Sequence, residues 1–316
     1  MDEKQAAALL RGQDNILILT HRRPDGDTIG CAAGLCAALR ALGKQAWVLH
    51  NEETTSLFAP YVQGMEPPEG VQPGFVVSVD IAGMGLFPDR AVEYAGRVDL
   101  AIDHHPSNEG FGKENCVDPS CAACGEIVYR IVRELGPVTA EIALPLYVAV
   151  STDTGCFVYS NTTPQTHRVA ADLMATGIPY QKANKRHFRT KSFKRLQLEA
   201  ALMQSLELFQ DGRLAVGVIT LADMERIGAT EVDAEDIAAY LGQIEGVSWS
   251  VTIRELQGGE CKLSVRTDGV TLNATQVCAL LGGGGHAAAA GCTLTGSPAQ
   301  ARAAILDAIA QVQAHA

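Results

Sequence analysis

The 316-residue chain has little of what several protein classes require. It lacks any apolar run near the roughly 18 residues that a membrane helix needs, so no membrane partner is expected. Met1-Asp2-Glu3-Lys4 is not followed by an apolar block, which argues against a secretory signal and makes the cytoplasm the expected location. Positive charge is scarce. Against 36 aspartates and glutamates stand 25 lysines and arginines, a net charge of −11, which argues against a broad surface for long duplex nucleic acid. Phosphate substrates stay open, because a metal cluster or a few arginines reverse the potential locally. Nine cysteines are too few in so long a chain for a disulfide scaffold, and their odd number leaves one unpaired. No internal repeat is visible, and low complexity is confined to residues 282–291.

What is present reads as globular: 47% hydrophobic and 19% charged residues, with length for about two domains. In the first half, strand-like segments at 15–20, 45–49, 75–80 and 98–103 alternate with helix-like ones at 28–42, 122–134, 139–150 and 164–176. The strands are continuous apolar runs, and Gly43 supplies a helix stop. The expected fold is α/β: an N-terminal doubly wound, mostly parallel sheet domain plus a smaller C-terminal α+β domain. The basic stretch 182–194 runs into a helix ending near 209 and reads as a linker. From 214 the pattern restarts, with strands at 214–220, 248–254 and 261–266 and helices at 234–244, 273–281 and from 298 to the end. The expected division is therefore 1–185, a linker helix at 186–212, and 213–316.

Acids and histidines gather where such a sheet binds ligands, at the carboxyl ends of its strands. His21-Arg22-Arg23-Pro24-Asp25-Gly26-Asp27 follows the first strand, Asp80 ends the third, and Asp103-His104-His105 follows the fourth. Asp153 follows the helix ending near 150. One aspartate in such a place is an ordinary cap or turn former, but four clusters together point to a metal site. Asp25 and Asp27, two apart, face opposite ways on an extended backbone, so each can serve a different ion. Imidazole and carboxylate without thiolate favour Mn²⁺ or a similar octahedral ion over structural zinc. Two divalent cations would neutralise the repelling carboxylates and clamp a phosphoryl group.

Two further features stand apart from this cluster. Cys116, Cys121 and Cys124 have the C-x4-C-x2-C spacing that iron–sulfur proteins use, but Asp118-Pro119-Ser120 reads as a turn opening a helix. Packing is the stronger reading for these cysteines, and whether they bind anything stays open. The run Gly282-Gly283-Gly284-Gly285-His286 lies between a helix and a strand and reads as an ordered loop whose N–H groups form an anion nest.

His21-x-x-Pro-Asp25-x-Asp27, Asp80, Asp103-His104-His105 and Asp153, in that order, resemble the DHH phosphoesterase superfamily. Gly283-Gly284-Gly285-His286, followed by Ala290-Gly291, resembles the signature of the DHH-associated C-terminal domain. The resemblance covers about residues 10 to 310. It implies one metal position made by His21, Asp25 and Asp80, and a second made by Asp27, Asp80, His104 and Asp153, with Asp80 bridging. It also implies that Asp103 orients a metal-bound histidine and that His105 faces the substrate phosphate as donor or general acid. The implied site lies in the interdomain cleft. Across it, Gly283, Gly284, Gly285 and His286 would bind the substrate and Arg266 its terminal phosphate. Arg186, His187 and Arg189 either line that cleft or form a basic linker face.

The compact two-domain form most resembles the bifunctional oligoribonucleases that also act as pAp phosphatases. Family II pyrophosphatases lack the glycine-rich histidine loop, RecJ-type exonucleases are longer, and membrane-tethered cyclic-di-AMP phosphodiesterases carry extra N-terminal segments. The expected activity is Mn²⁺-dependent hydrolysis of short RNA or dinucleotides such as pApA, extending to pAp, by two-metal hydroxide attack. Mg²⁺ and Co²⁺ are alternative ions, and a homodimer is left open. Cyclic-di-AMP phosphodiesterase activity is the alternative within the family. A non-catalytic nucleotide-binding regulator is the alternative from another class.

Overall fold

The computed structural model of the protein describes residues 1–234 and 237–314. They form two compact units that divide between Thr190 and Lys191. Among the described residues no helix is long and apolar enough to cross a membrane.

The first unit is built on five parallel strands: β1 (Ile16–Leu19), β2 (Ala46–Val48), β3 (Phe75–Val79), β4 (Leu100–Asp103) and β5 (Glu114–Val117), in the order β2-β1-β3-β4-β5. Successive residues of a strand face opposite sides of a sheet. Ile16 and Ile18 of β1 accordingly join Val77, Val79, Leu100 and Ile102 in one core, while Leu17 and Leu19 join Val76 and Ala101 in another. Burial on both faces explains why β1, β3 and β4 read as unbroken apolar runs. The edge strand β5, Glu114-Asn115-Cys116-Val117, buries only Cys116 and gave no such signal.

The helices Gly26–Ala41 and Ala140–Asp153 set the geometry of the site. Gly26, Gly30 and Gly34 fall four apart, on one face of the first helix. A Cβ on Gly30 would lie 2.8 Å from Ala149 Cβ, one on Gly34 2.6 Å from Leu146 Cγ, and one on Gly26 within the Thr152 side chain. The glycine stripe thus lets two antiparallel helices meet at backbone distance, and it carries Asp27 and Asp153 at the joined ends. Gly30→Val is expected to force the helices apart at a cost of about 1–3 kcal/mol, the range for overpacked cores. A chemical-denaturation midpoint unchanged from wild type would show that this contact is not tight.

Residues 186–212, expected as a linker helix, are shared between the units. A single π turn, Lys185–Arg189, belongs to the first, and the helix Phe193–Gln204 to the second. The second unit carries a six-stranded mixed sheet of β6 (Glu207–Phe209), β7 (Leu214–Ile219), β8 (Trp249–Leu256), β9 (Glu260–Arg266), β10 (Gly284–His286) and β11 (Ala289–Thr295), ordered β10-β11-β9-β8-β7-β6. Only β7 and β8 pair in parallel. The helices Ala274–Ala279 and Pro298–Ala314 cover one face of it, and Phe193–Gln204 covers the other. Of the helix expected at 234–244, residues 235–236 lie outside the described residues, and two short 3-10 turns, Ile237–Ala239 and Leu241–Gln243, follow. Residues 315–316 of the last expected helix also lie outside them.

The glycine run is not the loop that the sequence suggests. Gly284, Gly285 and His286 form β10 and pair with Gly291, Ala290 and Ala289 in a tight hairpin. A Cβ on Gly283 would lie 2.5 Å from Cys292 Cβ, and one on Gly285, where φ is 147°, 2.6 Å from Ala290 Cα. The glycines are there for this close pairing of two backbones.

Candidate metal centre

The loop after β1 turns into the helix Gly26–Ala41, and Asp25 is its N-cap, accepting from the backbone N–H of Asp27 and Thr28. Asp27 sits one turn position further on. Asp25 and Asp27 do separate, although by this cap rather than by an extended strand. Asp27 points inward, where its carboxylate accepts from the backbone N–H of Cys124 at 2.7 Å and of Gly125 at 2.9 Å. Those N–H groups open the helix Cys124–Leu135, whose own N-cap residue Ala123 supplies no side-chain bond. A helix N-terminus attracts negative charge, and here it fixes a carboxylate from a distant part of the chain.

Asp80 follows β3 with a left-handed backbone, φ 60°, which Asp tolerates better than most residues. It is buried, and its two oxygens face different histidines. Oδ2 lies 3.6 Å from His21 Nε2, and Oδ1 lies 3.6 Å from both His104 Nε2 and His105 Nδ1. Among the described residues Oδ1 has no hydrogen-bond partner. His21 Nε2 is also 3.5 Å from Asp25 Oδ1, and His104 Nε2 is 3.8 Å from Asp27 Oδ2 and 3.7 Å from Asp153 Oδ2. His21, Asp25 and Asp80 therefore form one group able to hold a metal ion, and Asp27, His104 and Asp153 form another. These separations are long for hydrogen bonds. Two donors each about 2.1 Å from a shared ion, at 90–120°, are about 3.0–3.6 Å apart, which the 3.5 and 3.6 Å of the first group meet and the 3.7 and 3.8 Å of the second slightly exceed.

The outer nitrogens complete the argument. His21 Nδ1 donates to Arg22 O at 2.7 Å and His104 Nδ1 to Cys121 O at 3.2 Å, which leaves both Nε2 atoms facing the carboxylates. Histidines that ligate metals usually donate their second ring N–H in this way. His105 is different. Its Nδ1 donates to Asp103 Oδ1 at 2.8 Å, while Asp103 also accepts from the His104 backbone N–H and from Asn108 Nδ2 at 2.6 Å. The resemblance assigned Asp103 to a metal-bound histidine, but its side-chain partner is His105, because the Asp103 carboxylate lies on the Nδ1 side of that ring. Asn108, three residues beyond Asp-His-His, escaped the sequence reading. So did Cys31, whose Sγ donates to Asp27 Oδ1 at 3.3 Å. Its position four residues after Asp27, on one helix face, was the available signal.

The cluster's protonation reflects its crowding. Burial opposes a charge on His21, but Asp25 and Asp80 outweigh it and hold the imidazole up to about 11. Burial and the neighbouring carboxylates push Asp27 well above the ordinary carboxylate range, and burial raises Asp80 despite His21. Burial also pushes Asp153 up to about 6, against the pull of His104. Asp25 is the exception: burial works against its charge, but His21 holds it below the usual value. Carboxylates so arranged take up protons unless cations neutralise them.

Arg266, Gly283, Gly284, Gly285 and His286 lie in the second unit. His286 pairs with Ala289, and Ala289 with Arg266, so the two side chains leave one face of the sheet from positions two strand spacings, about 10 Å, apart. Arg186 and His187 have structural partners within the first unit. Arg186 Nη2 donates to Ser56 O and Leu57 O, and His187 Nε2 meets the Tyr61 hydroxyl at 2.8 Å. Among the three cysteines, the Cys124 thiol donates to Ile102 O and the Cys121 thiol to Asp118 Oδ2.

The profile of the DHH family, N-terminal domain, matches residues 15–178, and that of the DHHA1 domain matches residues 212–314. The protein named bifunctional oligoribonuclease and PAP phosphatase NrnA of Thermus thermophilus is 37% identical over 285 residues, spanning 89% of this chain and 84% of that protein. Its namesake in Bacillus subtilis is 25% identical over 291 residues, spanning 89% and 90%. The crystal structure of an exopolyphosphatase-related protein from Bacteroides fragilis shares the fold, with a TM-score of 0.84 at 21% identity over 99% of this chain and 96% of that one. With family matches across both units and this level of identity to a relative of nearly equal extent, the chain belongs to the DHH family and carries its DHHA1 domain.

Proposed function

We propose that the protein is a phosphoesterase that hydrolyses short oligoribonucleotides and dinucleotides such as pApA to mononucleotides, and pAp to AMP, with two divalent cations, Mn²⁺ foremost. The observation that carries this reading is Asp80, one buried carboxylate facing two His–Asp groups with one oxygen lacking any hydrogen-bond partner. The names of the Thermus and Bacillus relatives support the substrate class. His21, Asp25 and Asp80 would hold one cation, and Asp27, Asp80, His104 and Asp153 the other. Bound there, the cations would activate water and neutralise phosphoryl oxygens.

The protein's own groups do the rest. The helix N-terminus at Cys124 and Gly125 fixes Asp27, and the carbonyls of Arg22 and Cys121 fix the tautomers of His21 and His104. Asp103 holds His105 by its Nδ1–H and, together with Asp80 and Asp153, raises its pKa although burial works the other way. Protonated, the ring offers its Nε2–H to a phosphate oxygen or to the leaving group. Arg266 and His286 supply donors for a further anionic part of the substrate. The reaction is placed in the cytoplasm.

The test is a chromatographic assay with Mn²⁺ and, separately, pApA, a five-nucleotide RNA, cyclic-di-AMP, pAp and pyrophosphate. Mononucleotide release from pApA or RNA is the expected result, and pyrophosphate turnover alone would overturn the substrate class. Tight binding of pApA with no turnover would favour the regulatory alternative. His105→Asn is expected to lower kcat on pApA by about 10²–10⁴, the usual range for general acid–base catalysis, with metal content kept. A kcat within threefold of wild type would remove His105 from the chemistry.

A further inference from the structure

The first unit contains a cavity of about 590 Å³ beside the Asp–His cluster, over the carboxyl ends of β1 and β2. This is within the size range of small-molecule sites. Ile29, Val48, Pro60 and Val62 line it with apolar surface. Its charged lining is acidic: Glu52 and Glu66 border it, and among the described residues no lysine or arginine does. Such a lining offers phosphate no lysine or arginine. It suits a flat, largely apolar group that carries N–H donors.

The cavity lining connects to the cluster through the backbone of His21. Thr20 lines the cavity and directly precedes His21, and Asn51, also in the lining, donates from Nδ2 to His21 O at 2.9 Å and to Thr20 Oγ1 at 3.1 Å. Its outer wall, residues 51–66, is braced from behind. Arg186 binds the carbonyls of Ser56 and Leu57, and His187 stacks on Phe58 with ring centroids 5.4 Å apart while meeting the Tyr61 hydroxyl. Burial beside Arg186 pushes His187 down to about 4, so this brace is a neutral ring at physiological pH. A wall held in this way is ordered before any ligand arrives, which lowers the entropic cost of binding.

We propose that this cavity is a nucleobase subsite that takes an amino-bearing base, adenine foremost, of the nucleotide whose phosphate lies at the Asp–His cluster. The inference rests on the phosphoesterase reading and deepens it. The apolar side chains cover the faces of the base. The carboxylates accept from its exocyclic amino group: Glu66 uses one oxygen on His50 Nδ1 at 2.6 Å, and Glu52 one on Arg90 Nε at 3.1 Å, so each keeps the other for a ligand. Uracil, which presents a carbonyl where adenine and cytosine present an amino group, is disfavoured there.

The test compares KM for pApA, pUpU and an abasic dinucleotide with Mn²⁺ in wild type and in Ala59→Trp, which places an indole in the exposed cavity wall. The expected KM for wild type is at least tenfold lower for pApA than for the other two, and Ala59→Trp reduces that ratio to near one. Equal KM for all three in an active wild type would overturn the proposal and leave the phosphoesterase reading standing. An inactive wild type would count against the phosphoesterase reading instead. Independently, 8-azido-AMP with Mn²⁺ is photolysed on the wild-type protein and the labelled peptide is sequenced. Labelling within residues 48–66 supports the subsite whatever the turnover, and labelling only elsewhere, or none, overturns it.

Discussion

Asp80→Asn is expected to lower kcat/KM on pApA by about 10³-fold or more while leaving the metal-free fold at least as stable as wild type. Asp80 alone faces both His–Asp groups, its oxygens 3.6 Å from His21 and from His104. Asparagine keeps the shape of the side chain and tolerates the left-handed φ of 60° at this position. It removes the negative charge that would hold two cations together. Metal stabilisation of a phosphoryl transition state is worth several kcal/mol, and each 1.36 kcal/mol is tenfold in rate, hence about three decades. Stability moves the other way, or not at all. Without cations, Asp80 is a buried carboxylate crowded by Asp25, and it in turn pushes Asp27 and Asp153 up. Losing one of several like charges relieves that strain. Three measurements decide the matter: turnover, bound metal by atomic emission, and the unfolding temperature in chelator. Normal turnover with full metal content would sink the assignment. A large drop in unfolding temperature in chelator would mean that Asp80 is mainly structural.

The sequence carried the sheet and the cluster for one reason. Strands buried on both faces must be continuous apolar runs, so β1, β3 and β4 announce themselves, and the residues that follow them are at the ligand edge by construction. His21, Asp25, Asp80 and His104 lay in those positions, while Asp153 ends the helix Ala140–Asp153. Elements whose burial is one-sided or slight left no such mark. β5 buries one residue of four at a sheet edge, and β6 is a three-residue strand with none buried. The helix Leu221–Ile227 is short and rests on a capping box between Thr220 and Asp223. The glycine run misled because glycine is permissive in two senses, allowing a loose loop or a close approach. Only the contacts of Gly283 and Gly285 with β11 select the hairpin. Side-chain pairing was equally invisible. Asp103-His104-His105 names three adjacent residues, but which histidine the aspartate holds depends on how the chain turns after β4. That turn gives His104 to the Cys121 carbonyl and His105 to Asp103.

Metal affinity is expected to rise at least tenfold per pH unit from pH 7 to 8 and more steeply below pH 6, because bound cations displace protons from the cluster. His21 is the first source. Asp25 and Asp80 hold its imidazole up to about 11, so it is charged across this range and must give up its Nε2 proton before that nitrogen can face a cation. Asp153, up to about 6, adds a second proton only at lower pH. The stability of the metal-free fold follows with a definite sign. A raised histidine pKa contributes stability that is complete below the unfolded value near 6.5 and is lost as pH rises toward 11. A raised carboxyl pKa makes ionisation costly, so Asp153 also withdraws stability as pH rises from the ordinary carboxylate value through 6. The metal-free protein is thus weakened by rising pH while metal binding tightens. The gap in unfolding temperature between the Mn²⁺-loaded protein and the protein in chelator should be wider at pH 8 than at pH 6. Calorimetric titration with Mn²⁺ in two buffers of different ionisation enthalpy counts the protons directly, with at least one expected at pH 7.5, from His21. No released proton, together with an equal gap at both pH values, would mean that His21 does not face the cation. The first metal position would then have to be sought elsewhere among the acids of the cluster.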